Sequence, residues 1–392
     1  MNWQSTYDFI APAKIVFGWG RRVETGQHGR SLGNRAMLVR GMPDEVANQV
    51  LPDIVDPLLQ EGIEVVELGE LHHEPEVADV DRLTDEYRRQ GVKQGDFLIG
   101  VGGGAAIDLA KAVAALATNP AGDSVADYLE NVGRDLKLIE QPLPVLAIPT
   151  TAGTGAEATK NAVISSYDPP FKKSLRDDLM MPRVALIDPE LTVSVPPEVT
   201  AASGMDAITQ LIESYISRRA KPIPRALSVE GLRRAMPAIV EAVEDGSSRT
   251  AREAMSHAAL LSGMALANSG LGLAHGVAPA LGIHCRTPHG AACALMLPTA
   301  LRVNRTVCEE ELGRLAHAVF GAKTRGRAGV DMLIEEIESI GQQIGTPSRL
   351  SDVGVTAEQI PAIVKSSRGN SMNGNPVQLS DDELTEILEN LL

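Results

Sequence analysis

Residues 97–116 read FLIGVGGGAAIDLAKAVAAL. The first five, FLIGV, form a short, almost wholly apolar run of strand length. Gly102, Gly103 and Gly104 follow at once. The remaining AAIDLAKAVAAL has no breaker, only Asp108 and Lys111 as charged positions, and the length of a helix. A strand that runs through glycines into a helix leaves the first backbone N–H groups of that helix without partners. Glycines also let a ligand approach closely, so this junction is predicted to bind phosphate. It is neither the GxGxxG fingerprint nor a Walker loop.

The same texture extends to both sides. RAMLV (35–39) reads as a buried strand, followed by Gly41, Pro43 and a helical run over 44–61. EVVEL (64–68) is a further strand, with a helix predicted over 76–90. VLAI (145–148) is another, and it opens into the polar loop PTTAGTGAE, which offers Thr150, Thr151 and Thr154 as donors. Residues 1–20 read as extended. Strands alternating with helices at this spacing imply a parallel α/β sheet, and such sheets bind ligands at the carboxyl ends of their strands.

Beyond Asp188-Pro189 the strand signal stops and long amphipathic helices with Gly and Pro punctuation take over. We therefore expect an α/β dinucleotide-binding domain over 1–190 and a helical metal and substrate domain over 191–392. A chain of 392 residues is long for one core, which agrees with two domains.

The helical half carries the second candidate site. Residues 272–297 read GLAHGVAPALGIHCRTPHGAACALML. His275 and His289 stand among small apolar residues, separated by Gly276, Pro279, Gly282 and Pro288, so a turn is expected to bring them together. Upstream, SGMDAITQLIESY places Asp206 and Gln210 four residues apart, on one face of a helix. These four residues are a candidate ligand set for one divalent ion, because neutral imidazole is the commonest protein metal ligand.

Composition limits the partners. Net charge is −15, aromatic residues are 3%, and no Lys/Arg-rich run occurs. These features argue against nucleic acid and anionic membrane surfaces. No apolar run reaches the length of a spanning helix, and the N-terminus lacks a signal pattern. The three cysteines, Cys285, Cys293 and Cys308, have no CxxC spacing and fit a reducing, cytoplasmic setting.

Together these stretches resemble the iron-containing (group III) alcohol dehydrogenases. The matching pieces are FGWG (17–20), GVGGGAAIDLAK (100–111), PTTAGTGAEAT (149–159), ALIDPELT (185–192), SGMDAITQLIESYIS (203–217) and GLAHG…TPHG (272–290). The resemblance implies the dehydroquinate synthase-like fold of that family, with a metal in a cleft between the two domains. It implies reversible hydride transfer between a small alcohol, or its carbonyl, and NAD(P), with Fe2+ or Zn2+ bound. It assigns Gly102, Gly103, Gly104 and Asp108 to the pyrophosphate loop, Thr150, Thr151 and Thr154 to a second cofactor loop, and Leu186 to the nicotinamide. Asp206, His275 and His289 match three of its four metal ligands, and they double as the expected catalytic residues. A homodimer is the family's habit.

Four departures stand out. Gln210 replaces a family histidine. Pro279 replaces a histidine on the proton-relay path, for which His284 or a water chain is the candidate substitute. Ala105 and Ala156 replace serines. Arg40-Gly41 stands where NAD-preferring members carry Asp, so NADP(H) is expected to be accepted and preferred, with Gly41 at the cofactor. Arg286, near the second histidine, and the polar loop 366–376 suggest an anionic substrate. Alternatives open at this point are a metal-independent reductase resembling maleylacetate reductase, a cyclase resembling dehydroquinate synthase, and a non-catalytic dinucleotide-binding protein.

Overall fold

The computed structural model describes residues 6–321 and 326–392. Residues 1–5, part of the expected N-terminal extended segment, lie outside the described residues. The chain divides into two compact units. Among the described residues, one comprises 10–151 and 155–194, the other 6–9, 152–154, 195–321 and 326–392.

The first unit is built on a parallel six-stranded sheet. Its strands are β1 (Lys14–Phe17), β2 (Arg35–Gly41), β3 (Glu64–Glu70), β4 (Asp96–Gly102), β5 (Val145–Pro149) and, after an antiparallel hairpin of β6 (Asn161–Tyr167) and β7 (Pro170–Arg176), β8 (Val184–Ile187). The order across the sheet is β1-β8-β5-β4-β2-β3. Alternation of side chains along each strand makes two apolar layers. Met37, Val39, Leu98, Val145 and Ala147 face one layer, and Ala36, Leu38, Phe97, Ile99, Val101, Leu146 and Ile148 face the other. α1 (Thr25–Gly29), α2 (Asp44–Val50) and α3 (Pro52–Gln60) are short; Ala47, Ile54 and Leu58 cover the second layer. α4 (Val77–Arg89) and α5 (Gly104–Thr118) cover the first, and every residue of α5 from Ala106 to Leu116 is buried.

The single helix expected over 44–61 is thus two, α2 and α3. Pro52 has no N–H to continue α2 and instead begins α3. The hairpin β6–β7 was not expected from the sequence. Its strands NAVISSY and PFKKSLR are polar at many positions, so they show little apolar alternation.

Register decides where the loops fall. Gly41 pairs with Gly102, and Gly102 with Pro149, so β2, β4 and β5 end side by side. Gly102 has φ +152, and a Cβ on it would lie 2.8 Å from the Gly41 carbonyl oxygen. Only glycine permits that approach. At the other edge, buried Asp188 accepts hydrogen bonds from the N–H groups of Gly20 (2.9 Å) and Arg22 (3.0 Å), which ties the end of β8 to the turn after β1.

The second unit contains α6 (Pro197–Ile216), α7 (Pro222–Glu244), α8 (Arg249–Ser269), α9 (Leu273–Cys285), α10 (His289–Asn304), α11 (Glu309–Phe320), α12 (Gly326–Gln343), α13 (Ile360–Ser366) and α14 (Asp381–Glu389). α6 is its axis. Every residue from Gly204 to Ile216 is buried, as expected of a helix surrounded by α7, α8 and α10. Among the described residues, no helix is long and apolar enough to cross a membrane.

Candidate active site

In the helical unit, α6 presents Asp206, Gln210 and Glu213 at positions i, i+4 and i+7, all nearly inaccessible to solvent. Two helix starts are brought to this stripe. A Cβ on Gly290 would lie 2.2 Å from the Ala202 carbonyl oxygen, so glycine there lets the first turn of α10 rest on the α6 backbone. That contact delivers His289, whose Nε2 lies 3.8 Å from Asp206 Oδ1. α9 is delivered by Glu213. Its carboxylate accepts hydrogen bonds from the N–H groups of Gly272 (3.1 Å), Ala274 (2.7 Å) and His275 (3.3 Å). A carboxylate is favourable there because it faces the unpaired N–H groups and the positive end of the helix.

Glu213 Oε2 also accepts a hydrogen bond from the His275 ring, 2.7 Å from Nδ1. That leaves Nε2 directed at Asp206 Oδ1, 3.0 Å away. A carboxylate behind a ligating imidazole fixes its tautomer and raises its basicity. Asn375 supports the same helix end by accepting the N–H of Leu273 (3.0 Å).

Asp206, His275, His289 and Cys293 each offer one ligand atom, and all four atoms lie within 4.8 Å of one another. Neighbouring ligands around a tetrahedral ion with bonds of ~2.0–2.3 Å are separated by about 3.3–3.8 Å, so this group needs only a small contraction to hold one. The electrostatics agree. Burial opposes a charge on Asp206, but the hydrogen bond from His275 and the nearby His289 hold its carboxyl below the usual range. Burial likewise disfavours a charged His275, yet the Cys293 sulfur, Asp206 and Glu213 outweigh it and hold the imidazole pKa well above normal. Burial pushes the Cys293 thiol up to about 12. An ion bound here would replace the protons on His275 and Cys293 as a partner of Asp206.

The remaining predicted residues are placed as follows. Gln210 reaches the cluster, but its Nε2 donates to Asp206 Oδ1 (3.1 Å) and its carbonyl oxygen accepts from Ser262 Oγ (2.6 Å). His284 lies nine residues beyond His275 on α9. Helix geometry puts it about 13 Å further along and on the opposite face, where its Nε2 bonds Ser366 Oγ (2.8 Å). It is not among the four residues of the cluster. Arg286 is exposed beyond the end of α9, as its left-handed cap residue (φ 57). Polar side chains of the loop 366–376 are engaged within the unit: Ser366 Oγ bonds His284, Asn370 Oδ1 accepts from the Arg219 guanidinium and Asn375 Oδ1 accepts the Leu273 N–H. Glu213 was not singled out from the sequence. An acid continuing the Asp206–Gln210 stripe by one further turn was the available signal.

In the α/β unit, Gly103 is the N-cap of α5 and no side chain caps that helix. Its open N-terminus stands beside the ends of β2 and β5, with Thr150 N–H donating to Gly102 carbonyl oxygen (2.9 Å). Gly41, Gly102, Gly103, Gly104, Thr150 and Thr151 therefore share one strand-end region. Thr154 belongs to the helical unit. Two side chains expected at the cofactor turn inward. Asp108 accepts the Val163 N–H (2.9 Å) and pairs with buried Lys111 (2.8 Å), which pins β6 to α5. Leu186 is wholly buried in the second apolar layer, because alternation along the four-residue β8 points it there. Arg40 is not open to a phosphate either. Its guanidinium is held by Glu67 (2.8 Å), Asp44 (2.9 Å) and Glu70.

Comparison with known proteins agrees over nearly the whole chain. The family model described as iron-containing alcohol dehydrogenase matches residues 12–189, and the model for that family's C-terminal region matches 200–392. Long-chain-alcohol dehydrogenase 1 of Geobacillus thermodenitrificans is 32% identical over 391 residues, covering 97% of each chain. A solved 1,3-propanediol oxidoreductase superposes with a TM-score of 0.90 at 28% identity, covering 99% of this chain and 100% of that one. Sulfoacetaldehyde reductase from Bifidobacterium kashiwanohense, solved in complex with NAD+, superposes with a TM-score of 0.86 at 29% identity, covering 98% of each. With both halves matched in order, and a carboxylate–imidazole cluster fit for an ion, the chain belongs to the iron-containing alcohol dehydrogenase family of nicotinamide-dependent oxidoreductases.

Proposed function

We propose that the chain catalyses reversible hydride transfer between a small alcohol, or its aldehyde, and a nicotinamide cofactor, with Asp206, His275 and His289 holding one divalent ion. The observation that carries this reading is the convergence of one buried carboxylate and two imidazoles, one of them braced from behind by Glu213. A metal-independent reductase has no need of such a cluster. The ion would supply Lewis-acid polarisation of the substrate oxygen. Asp206 contributes negative charge, His275 is locked in orientation by Glu213, and partly exposed His289 forms the accessible side of the group. In the α/β unit, the uncapped start of α5 and the glycines before it bind the dinucleotide pyrophosphate.

NADH is the proposed preferred cofactor. Arg40 is neutralised by three carboxylates, so the rim of β2 is net acidic and repels a 2′-phosphate. A lower KM for NADH than for NADPH is expected; the reverse would contradict this. With Arg286 exposed, about 16 Å of helix rise beyond His275, the support for an anionic substrate falls away, and uncharged short aldehydes are the proposed substrates. The edge strand β1 has β8 as its partner among the described residues, which suits pairing between two copies in a homodimer. Three free cysteines fit the reducing cytoplasm.

The test is NADH oxidation with short aldehydes by protein purified without chelator, then stripped of metal, then reconstituted. Activity should fall on stripping and return with Fe2+ or Zn2+. A full rate in stripped protein would sink the metal-assisted mechanism.

A further inference from the structure

The cluster holds a fourth ligand atom that the sequence pattern did not assign. Cys293 lies four residues after His289 on α10, so both side chains leave the helix on one face. Its sulfur lies 3.7 Å from His289 Nε2 and is closed off from solvent. Gln210, which shares the cluster, presents hydrogens to it. Its amide nitrogen faces Asp206, and its carbonyl oxygen, the atom able to bind an ion, faces Ser262.

We infer that Cys293, as the thiolate, is the fourth protein ligand of the ion, and that Gln210 is an outer residue that orients Asp206. This assignment rests on the metal-assisted reading above. On binding, the S–H bond of Cys293 breaks, its proton passes to solvent, and the sulfur's electron pair forms the bond to the ion; nothing is oxidised or reduced. Two anionic ligands, Asp206 and Cys293, then neutralise a dication. A sulfur ligand also shifts the preference toward zinc-like, softer ions and away from the hard, oxygen-loving ones.

The competing arrangement is also written in the structure. Ser262 Oγ lies within bonding distance of both the Ala259 carbonyl (2.8 Å) and Gln210 Oε1 (2.6 Å), yet carries one proton. If that proton goes to Ala259, the Gln210 amide is free to turn its oxygen to the ion.

Cobalt(II) titration of the full-length, metal-stripped, reduced chain separates the two. We expect a near-ultraviolet thiolate-to-cobalt charge-transfer band that saturates at one equivalent, is lost in Cys293→Ser and Cys293→Ala, and persists in Gln210→Ala. Cobalt d–d bands without the thiolate band in the wild-type chain would overturn the Cys293 assignment and leave the proposed function standing. So would a band that survives in both Cys293 variants, or a Gln210→Ala variant that alone loses the ion. Failure of the wild-type chain to bind cobalt or zinc at all would overturn the proposed function as well.

Discussion

The two units hold their sites by different means. At the carboxyl edge of the sheet the site is made of backbone, with the open N-terminus of α5, the Gly41–Gly102–Pro149 register and a helix cap left empty. Side chains expected there are used elsewhere. Asp108 holds β6, Leu186 fills an apolar layer and Arg40 is bound by carboxylates. In the helical unit the reverse holds. The site is made of side chains projected from α6, α9 and α10, and backbone serves only to bring those helices close. A backbone site is robust to side-chain exchange but intolerant of a Cβ. A side-chain site fails when one group, or the group behind it, is changed.

That contrast yields separable failures. Among changes behind the cluster, the largest is expected at Glu213→Gln. The variant keeps the shape but loses the carboxylate that accepts the hydrogen bond from the His275 ring. Metal affinity should fall by about 10–100-fold, while NADH binding is unchanged; metal content against NADH titration checks this. Equal losses in both would mean that the two sites are not independent. Next is Gly102→Ala. A side chain at φ +152, 2.8 Å from a carbonyl oxygen, should destabilise the chain by about 1–3 kcal/mol and weaken NADH binding, with bound metal unchanged. A variant with native melting and native NADH affinity would remove the close approach of β2 and β4 from the account.

The smallest effect concerns stability alone. Glu157, in the loop after β5, is buried and its pKa is pushed up to about 7 by that burial, despite its own backbone N–H and nearby Lys111. The folded state thus binds the proton more tightly than the unfolded state, whose carboxyl titrates near 4.5. The contribution is full below about pH 4.5 and is lost as pH rises through about 7. Glu157→Gln should therefore gain on the wild type between pH 5 and pH 8, by on the order of 1–3 kcal/mol. Parallel melting curves at the two pH values would place an ionised Glu157 in the folded chain.

How much of this was legible follows from the same contrast. The glycine run and the flanking apolar strands announced the backbone site, because glycines and short apolar runs bounded by turn residues are direct statements about geometry. The stripe Asp206–Gln210 and the turn residues between His275 and His289 announced the side-chain cluster, because helical spacing fixes direction. What escaped was set by tertiary contact. Glu213 looks like one more acid on a helix until α9 is seen to start on it. Cys293 looks like a small apolar residue until α10 is placed against α6. His284 stands near both histidines in sequence, and only the half-turn count along α9 shows that it faces away.

The central claim, that a metal cluster in the helical unit and a dinucleotide site in the α/β unit are distinct and both required, is tested most directly by Asp206→Ala. Metal content, NADH affinity and turnover should be measured on one preparation. The account predicts no bound metal, no turnover and an unchanged NADH dissociation constant. A variant that retains metal and reduces aldehydes at the wild-type rate would contradict it.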